Sequence, residues 1–278
     1  MAGIHQGLMK LYQSGVLYFF AFALGASVGS FLNVFIYRWP RGLSVFNPRR
    51  SFCPCCNQPL PWYLNLPVLS WLMLRGRCRF CGERISIRYL LVELGGGVWF
   101  VLVLAKFGPG LETLAWFGFG AALLAGSVID LSTRLLPDVI TLGLLPLGLF
   151  MAFLPERFVP LWPVTGMEAV AGACLGAGLF ALVLVVFKRI TGREGMGWGD
   201  VKLMGAIGAF LGYSALPAVI FIASAGGIFA WVLLKKIKNI DREYPVPFGP
   251  LLSLGALVVV MFREWLEKNW IIINWNLW

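Results

Sequence analysis

The chain has 278 residues, of which 59% are hydrophobic and 13% charged, and its formal net charge is +10. A soluble domain has about 45–50% apolar and about 25% charged residues, so this composition, with a mean hydropathy of +0.80, excludes an ordinary soluble enzyme, a disordered chain and a fibrous repeat. A single histidine argues against a histidine-based triad. The sequence therefore predicts an all-α polytopic membrane protein.

Eight apolar segments predict transmembrane helices, each of which needs roughly 20 mostly apolar residues. The first segment has no signal-peptide cleavage pattern and continues into a polar motif, so we interpret it as a helix. The segments near 139–154 and 200–214 are short, and we expect them to be tilted or partly re-entrant. The predicted spans are 16–36, 89–106, 113–129, 139–154, 167–187, 200–214, 216–234 and 247–262.

Basic residues are concentrated in alternate loops, the pattern that marks the cytoplasmic side of a membrane protein. With eight spans, all of these loops and the 130–138 loop fall on one side, and both termini fall on the other. The natural partner of the basic loops is an anionic lipid surface, at about 1 kcal/mol per basic residue, rather than nucleic acid. The basic residues are nine arginines from Arg38 to Arg88, including Arg49, then Lys188, Arg189 and Arg193, and then Lys235, Lys236, Lys238 and Arg242.

The loop between the first two spans carries a cysteine pattern typical of a zinc site. Cys53 and Cys56, and then Cys78 and Cys81, form two C-x2-C pairs separated by 21 residues. Four thiolates close a tetrahedral zinc shell, and such closed shells are usually structural. A metal would also supply folding energy that so small a loop lacks. Disulfides or a redox-active dithiol are alternatives that a cytoplasmic location disfavours, and Cys55 could replace Cys56 as a ligand.

Two acidic residues stand at the ends of predicted spans. Asp130 ends the third span, and Asp200 begins the sixth span after a glycine-rich stretch. Ionisable groups at membrane spans are costly and are therefore candidates for function. On the predicted topology both lie at the cytoplasmic face, where two carboxylates that share one proton supply a base for water and an acid for a carbonyl. A pair that shares one proton in this way is the arrangement of an aspartic protease.

Structural explanations compete for each of these carboxylates. An aspartate near a helix start, such as Asp200, is often only an N-cap. Asp130 could instead pair with Arg134 or Lys202. Asp138 is the third candidate, either as an acid close to the pair or as the N-cap of the fourth span.

Ordered motifs occur at six separate places between about residues 25 and 255. Together they resemble the bacterial type IV prepilin peptidases, which are membrane aspartyl proteases with a G-x-G-D motif. The motifs are G-S-F-L-N-V-F-I-Y-R at 29–38, the two C-x2-C pairs, R-Y-L-L-V-E-L at 88–94, I-D-x7-D at 129–138, G-M-G-W-G-D with its continuation at 195–212, and P-F-G-P at 247–250.

The resemblance implies a bifunctional enzyme of the bacterial inner membrane. The family cleaves the short basic leader of prepilins and type II secretion pseudopilins after a glycine at the cytoplasmic face. Many members then methylate the new N-terminus with S-adenosylmethionine, and the cysteine-bearing loop favours that branch over a monofunctional peptidase. The family's catalytic aspartates map onto Asp130 and Asp200. This chain has Leu90 where the family usually has proline, which would alter only how that helix begins.

Small and basic residues flank Asp200. Gly195, Gly197 and Gly199 would let the backbone approach an extended substrate that a Cβ would obstruct, or would only permit an irregular turn. Lys202 could bias the carboxylate pair or bind a substrate carboxylate, and it could equally extend to the lipid headgroups.

The sequence says little about where S-adenosylmethionine would bind. No glycine fingerprint of a dinucleotide-binding fold follows a predicted strand, so the site would be built from the cytoplasmic loop and adjoining helix ends. Glu93 is a weak candidate for contacting the ribose or an ammonium group, although we favour a structural pairing with Arg84 or Arg88. Asn33 is expected to form a hydrogen bond between helices.

These patterns predict that the chain is divided into four segments. Residues 1–37 form the first transmembrane helix, and residues 38–88 form the zinc-binding loop domain. Residues 89–262 form a seven-helix membrane protease domain, and residues 263–278 form an aromatic tail that we expect at the membrane interface.

Three other classes of protein are compatible with parts of the pattern. A proton-coupled transporter would use intramembrane carboxylates, but we detect no inverted repeat or paired broken helices. A thiol–disulfide oxidoreductase would need its cysteines in an oxidising compartment. A zinc-stabilised assembly protein without chemistry would keep its function when Asp130 or Asp200 is replaced by asparagine.

Overall fold

The computed structural model describes residues 15–47, 50–193, 195–238 and 247–269. Within these ranges the regular structure is helical, with two isolated β-bridges in the cysteine loop, which confirms the predicted all-α class. The α-helices of the described ranges are α1 Val16–Arg38, α2 Leu69–Met73, α3 Ile87–Phe107, α4 Leu111–Thr133, α5 Asp138–Phe153, α6 Gly166–Thr191, α7 Trp198–Leu211, α8 Leu216–Lys238 and α9 Gly249–Asn269.

All eight predicted spans coincide with helices, although only six of these are long and apolar enough to cross a membrane. The other two are α5 with 16 residues and α7 with 14. At 1.5 Å per residue they are about 24 Å and about 21 Å long, shorter than a hydrocarbon core of about 30 Å. The prediction of two short segments among the eight is therefore confirmed.

The chain divides into two compact units, Met1–Ala125 and Gly126–Trp278. In the first unit α1 packs along α3 because small residues bring the two backbones together. A Cβ on Gly25 would lie 2.4 Å from the carbonyl oxygen of Gly96, and one on Gly29 would lie 2.8 Å from the Cα of Glu93. Interfaces between membrane helices are enriched in such small residues.

In the second unit α7 is the enclosed helix, and it packs against α5, α6 and α9. Residues 203–211 of this helix are all buried, as expected for a helix that is apolar around its whole circumference. Its approach to α6 again depends on glycine, because a Cβ on Gly208 would lie 2.1 Å from the carbonyl oxygen of Gly172. The α7 helix begins at Trp198, so its first turn carries Asp200 into a packed environment.

Helix α9 continues to Asn269, so the first seven residues of the predicted tail 263–278 are helical. The aromatic run at 270–278 lies outside the described residues, as do Arg49 and Arg242. The four predicted segments, with boundaries after residues 37, 88 and 262, stay a prediction.

Candidate active site and metal centre

Asp130 lies near the C-terminal end of α4 and is 6% exposed. Its carboxylate accepts a hydrogen bond from the backbone N–H of Gly249, the first residue of α9. A Cβ on Gly249 would lie 2.7 Å from Oδ2 of Asp130, so only glycine leaves room for this contact. Gly249 belongs to the P-F-G-P motif at 247–250, to which the sequence assigned no role. The motif thus holds one of the two predicted catalytic side chains.

Asp200 is the third residue of α7 and is 8% exposed. The N-cap of this helix is Gly197, so Asp200 is not the N-cap that the sequence left as an alternative. Its carboxylate nevertheless accepts a hydrogen bond from the backbone N–H of Gly197, as the acidic residue of a capping box does. The helix start therefore fixes the orientation of the carboxylate.

The structure brings the two aspartates together in the second unit, close enough for the charge of Asp130 to act on Asp200. Leu136 packs between Gly199, the residue before Asp200, and Gly249, which holds Asp130. Its side chain lies 2.8 Å from the position of a Cβ on Gly199 and 3.0 Å from that of a Cβ on Gly249. Sequence reasoning missed Leu136, because an apolar residue in a loop carries no chemical signal.

Asp138 and Lys202 form an ion pair, with 2.6 Å between Lys202 Nζ and Asp138 Oδ1. Asp138 is the first residue of α5, whose N-cap is Pro137, so its interpretation as an N-cap is wrong. The sequence left three roles open for Lys202, at the carboxylate pair, at a substrate carboxylate or at the lipid headgroups. In the structure its side chain pairs with Asp138. The pair joins the starts of α5 and α7 at a partly exposed position.

The three glycines before Asp200 differ in their surroundings. A Cβ on Gly195 would lie 2.6 Å from the ring of Phe187, and one on Gly199 would collide with Leu136. A Cβ on Gly197 would have only the nitrogen of Gly199 near it, at 3.8 Å. Two of the glycines are therefore required for packing, whereas Gly197 borders open space.

The four cysteines of the two C-x2-C pairs converge in the first unit. The sulfur atoms of Cys53, Cys56, Cys78 and Cys81 all lie within 4.8 Å of one another. With zinc–sulfur bonds of about 2.3 Å, a tetrahedral shell needs sulfurs about 3.8 Å apart, and the Cys53 and Cys81 sulfurs are 3.9 Å apart. The donor set fits a metal ion. Cys55 is exposed and lies outside this group.

The two cysteine pairs have the same backbone geometry. The first cysteine of each pair donates its N–H to the carbonyl five residues later, from Cys53 to Gln58 and from Cys78 to Glu83. The residue four positions after it has a positive φ, at Asn57 and Gly82. Each loop thus turns its thiols inward, and a backbone hydrogen bond from Cys81 lowers the pKa of the Cys78 thiol to about 7, which favours the thiolate that a metal binds.

Glu93 is buried in the first unit, but its partners differ from the expected ones. Its Oε2 accepts a hydrogen bond of 2.7 Å from the backbone N–H of Val68, and the hydroxyl of Ser30 donates to the same carboxylate. Within the described ranges it makes no ion pair with Arg84 or Arg88, so that prediction is wrong. The expected hydrogen bond between helices is confirmed for Asn33, whose Nδ2 donates to the carbonyl of Tyr89 at 3.0 Å.

Taken together, these features define a multi-pass helical membrane protein with a buried carboxylate pair at helix ends and a four-cysteine group in a loop. Residues 23–107 match the Bacterial Peptidase A24 N-terminal domain, and residues 117–232 match the Type IV leader peptidase family. The chain belongs to the type IV leader peptidase family.

Relatives in several bacteria align over most of the chain. A prepilin leader peptidase/N-methyltransferase of Aeromonas hydrophila is 40% identical over 291 residues, covering 96% of this chain and 96% of that protein. Proteins with the same name from Burkholderia pseudomallei (strain 1026b) and Neisseria gonorrhoeae are each 39% identical, covering 90% of this chain and 86% and 93% of those proteins. No solved structure matches the chain.

Proposed function

We propose that this chain is a bifunctional membrane enzyme, a prepilin leader peptidase and N-methyltransferase. It cleaves the leader of type IV prepilins and type II secretion pseudopilins after a glycine, and it then methylates the new N-terminal amine. Membership of the leader peptidase family and the names of the relatives support this function. The observation that carries the peptidase part is the buried, interacting pair Asp130 and Asp200.

The two aspartates act as one catalytic unit. Two buried carboxylates whose charges act on each other cannot both ionise easily, and in this proposal they share a proton. The ionised carboxylate takes a proton from a water molecule as the water oxygen attacks the peptide carbonyl carbon, and the protonated carboxyl donates a hydrogen bond to the carbonyl oxygen. The carbon–nitrogen bond then breaks, and the leaving amine takes up a proton.

Backbone donors hold the pair in place for this reaction. The N–H groups of Gly249 and Gly197 each bind one carboxylate, and both belong to the N-terminal ends of helices, where N–H groups lack partners within the helix. Gly197 borders open space, and we assign it the close backbone approach of an extended substrate. Gly195 and Gly199 keep the surrounding side chains packed.

The ion pair of Asp138 and Lys202 supports this site without taking part in the chemistry. It ties the start of α5 to the start of α7, the helix that carries Asp200. Because the side chains are 61% and 34% exposed, the pair contributes little to stability. Its role is to position α7, and Lys202 is thereby kept away from the lipid headgroups.

We assign zinc to the four-cysteine group as a structural ion. Cys53, Cys56, Cys78 and Cys81 supply four sulfurs and close the shell, so no position is left for a reacting water. The loop around them has few core residues, and a bound metal would supply folding energy that the loop lacks. S-adenosylmethionine, when bound, would supply the methyl group for transfer to the new N-terminal amine in the second reaction.

The enzyme resides in the bacterial inner membrane with its active site near the cytoplasmic face. Within the second unit, α6 ends in Lys188 and Arg189, just before the stretch that leads to Asp200. Lys235 and Lys236 likewise lie in the last turn of α8. This bias of basic residues supports the cytoplasmic location and attracts anionic lipids.

Mass spectrometry of a purified prepilin incubated with the enzyme in detergent tests this function. The wild type and the variants Asp130→Asn and Asp200→Asn are compared, each with and without S-adenosylmethionine. We expect leader loss with the wild type alone, and one added CH2 on the new N-terminus when the methyl donor is present. Cleavage by either variant would refute the catalytic pair, and cleavage without methylation would leave a monofunctional peptidase.

A further inference from the structure

A pocket of about 330 Å³ lies in the first unit, bounded by α1, the start of α3 and the cysteine loop. Its volume falls in the range of about 300–1,000 Å³ that is typical of small-molecule sites. Four aromatic residues line it, and the four-cysteine group borders it through Cys53 and Cys78. The aromatic residues are Tyr37, Phe52, Trp71 and Tyr89.

The pocket contains a buried acceptor that lacks a donor. Asn33 lines the pocket and is 2% exposed, and its Oδ1 has no hydrogen-bond partner within the described part of the chain. Its Nδ2 donates to the carbonyl of Tyr89, so the amide cannot be turned over without losing that bond. A buried acceptor in this state is destabilising unless a water molecule or a ligand supplies the donor, and it lies where a ligand in the pocket can do so.

A carboxylate lines the same pocket. Glu93 is 9% exposed, and one of its oxygens accepts the N–H of Val68. A carboxylate offers about four acceptor positions, so it retains capacity for a ligand. Val68 has φ +65° and ψ −52°, a strained conformation for a β-branched residue. Such strain persists only where the surrounding structure enforces it, and it is common at ligand sites.

These surroundings specify the chemistry of the ligand. Asn33 Oδ1 lacks a donor among the described residues. The carboxylate of Glu93 retains acceptor positions beside those filled by Val68 and Ser30. These acceptors favour a group that is cationic or rich in donors, and the aromatic residues suit a purine ring or a sulfonium ion. Arg84 also lines the pocket, is exposed and has no ion-pair partner among the described residues, so it is available to a carboxylate. S-adenosylmethionine carries all of these groups, namely a purine, a sulfonium, an ammonium and a carboxylate.

We propose that this pocket is the binding site for S-adenosylmethionine, with Asn33 and Glu93 facing the cationic methionine arm and Arg84 facing its carboxylate. This inference rests on the proposed methyltransferase function and deepens it by naming the site. Glu93 and Asn33 thereby become positioning groups for the methyl donor. From the sequence, Glu93 was only a weak candidate for a cofactor contact, and Asn33 was expected only to form a hydrogen bond between helices. The four-cysteine group holds one wall of the pocket.

Equilibrium dialysis with radiolabelled S-adenosylmethionine tests the site directly on the full-length protein in detergent. The variants are Glu93→Gln, which keeps the shape and removes the charge, and Asn33→Leu, which removes the unpaired acceptor. Charge-assisted hydrogen bonds are about twice as strong as neutral ones, so we expect each variant to raise the Kd by at least about tenfold. The matched control is Glu112→Gln, a buried carboxylate of the same unit outside the pocket.

Adenosine serves as a second probe because it lacks the methionine arm. In Glu93→Gln its Kd should change by less than about threefold, whereas a collapsed pocket would lose both ligands. Leader cleavage by the same samples reports that the protein is folded. If both variants bind S-adenosylmethionine as tightly as the wild type does, and the wild type still methylates, the proposed binding site is wrong. The methyltransferase function would then stand. If the wild type neither binds S-adenosylmethionine nor transfers its methyl group, the methyltransferase function itself is refuted. The proposal that S-adenosylmethionine occupies this pocket would fail with it.

Discussion

The two units use the same device to pack their helices but place their polar groups differently. In the first unit Gly25 and Gly96 let α1 and α3 touch, and in the second Gly172 and Gly208 do so for α6 and α7. The polar groups of the first unit come partly from α1 and α3, at Asn33 and Glu93, and partly from the loop that joins the two helices. Those of the second stand on the helices themselves, at the end of α4 and the start of α7.

This difference determines what keeps each site in shape. A carboxylate on a packed helix such as α7 is positioned by the surrounding helices and by backbone N–H groups. A loop with few buried residues has no such support, and in this chain four cysteine sulfurs converge where a core would otherwise be needed. We therefore expect the carboxylate site to depend on helix packing and the methyl-donor pocket to depend on the metal.

The largest effect is expected from Gly249→Ala in the second unit. The new Cβ would lie 2.7 Å from Oδ2 of Asp130, so the carboxylate must move, and a displacement of about 1 Å can cost about 100-fold in rate. We expect kcat for leader cleavage to fall by about 100-fold while S-adenosylmethionine binding is unchanged. Gly178→Ala is the control, because a Cβ there meets nothing within 4 Å. Equal activity of the two variants would show that Gly249 does not hold Asp130.

Removal of the metal should affect the first unit before the second. After treatment with a thiol-competing chelator, or in Cys78→Ser, we expect the Kd for S-adenosylmethionine to rise by at least about tenfold. Leader cleavage should change less, since the carboxylate pair lies in the second unit and the four clustered cysteines lie in the first. Metal content by atomic emission and ligand binding by dialysis are measured on the same samples, with Cys174→Ser as the control. A larger loss of leader cleavage than of S-adenosylmethionine binding would contradict the expectation that the metal supports the first unit.

A moderate and reversible effect is expected at Leu136. In Gly199→Ala the new Cβ would lie 2.8 Å from the Cβ of Leu136, and we expect cleavage to slow by about tenfold. The double variant Gly199→Ala with Leu136→Gly removes the Cβ that the new methyl group meets and should recover part of the rate. Steady-state cleavage of a prepilin peptide measures both variants. Additive losses in the double variant would mean that the two residues do not interact.

The smallest effect is expected from the partly exposed ion pair. In Asp138→Asn the free energy of unfolding should fall by no more than about 1 kcal/mol, as measured by thermal unfolding in detergent. Cleavage should slow by less than about fivefold, because Asp138 positions α7 and does not contact the substrate. A loss as large as that of Asp200→Asn would instead place Asp138 in the catalytic machinery.

Features with a local pattern could be predicted from the sequence, and those created by tertiary contact could not. Apolar runs located the helices, including the short α5 and α7, and cysteine spacing located the four converging sulfurs. The partner of Glu93 was wrongly predicted because it is a backbone N–H 25 residues earlier in the chain. The pocket at Asn33 and the position of Leu136 are likewise visible only when the helices are packed.

The most direct test of the catalytic pair uses the variants Asp130→Asn and Asp200→Asn. Each variant is incubated with an intact prepilin and, separately, with the same pilin from which the leader has already been removed. Mass spectrometry in the presence of S-adenosylmethionine follows both reactions in each sample. We expect that neither variant removes the leader and that both still add one CH2 to the N-terminus of the leaderless pilin. Leader removal by either variant would contradict the proposed catalytic pair.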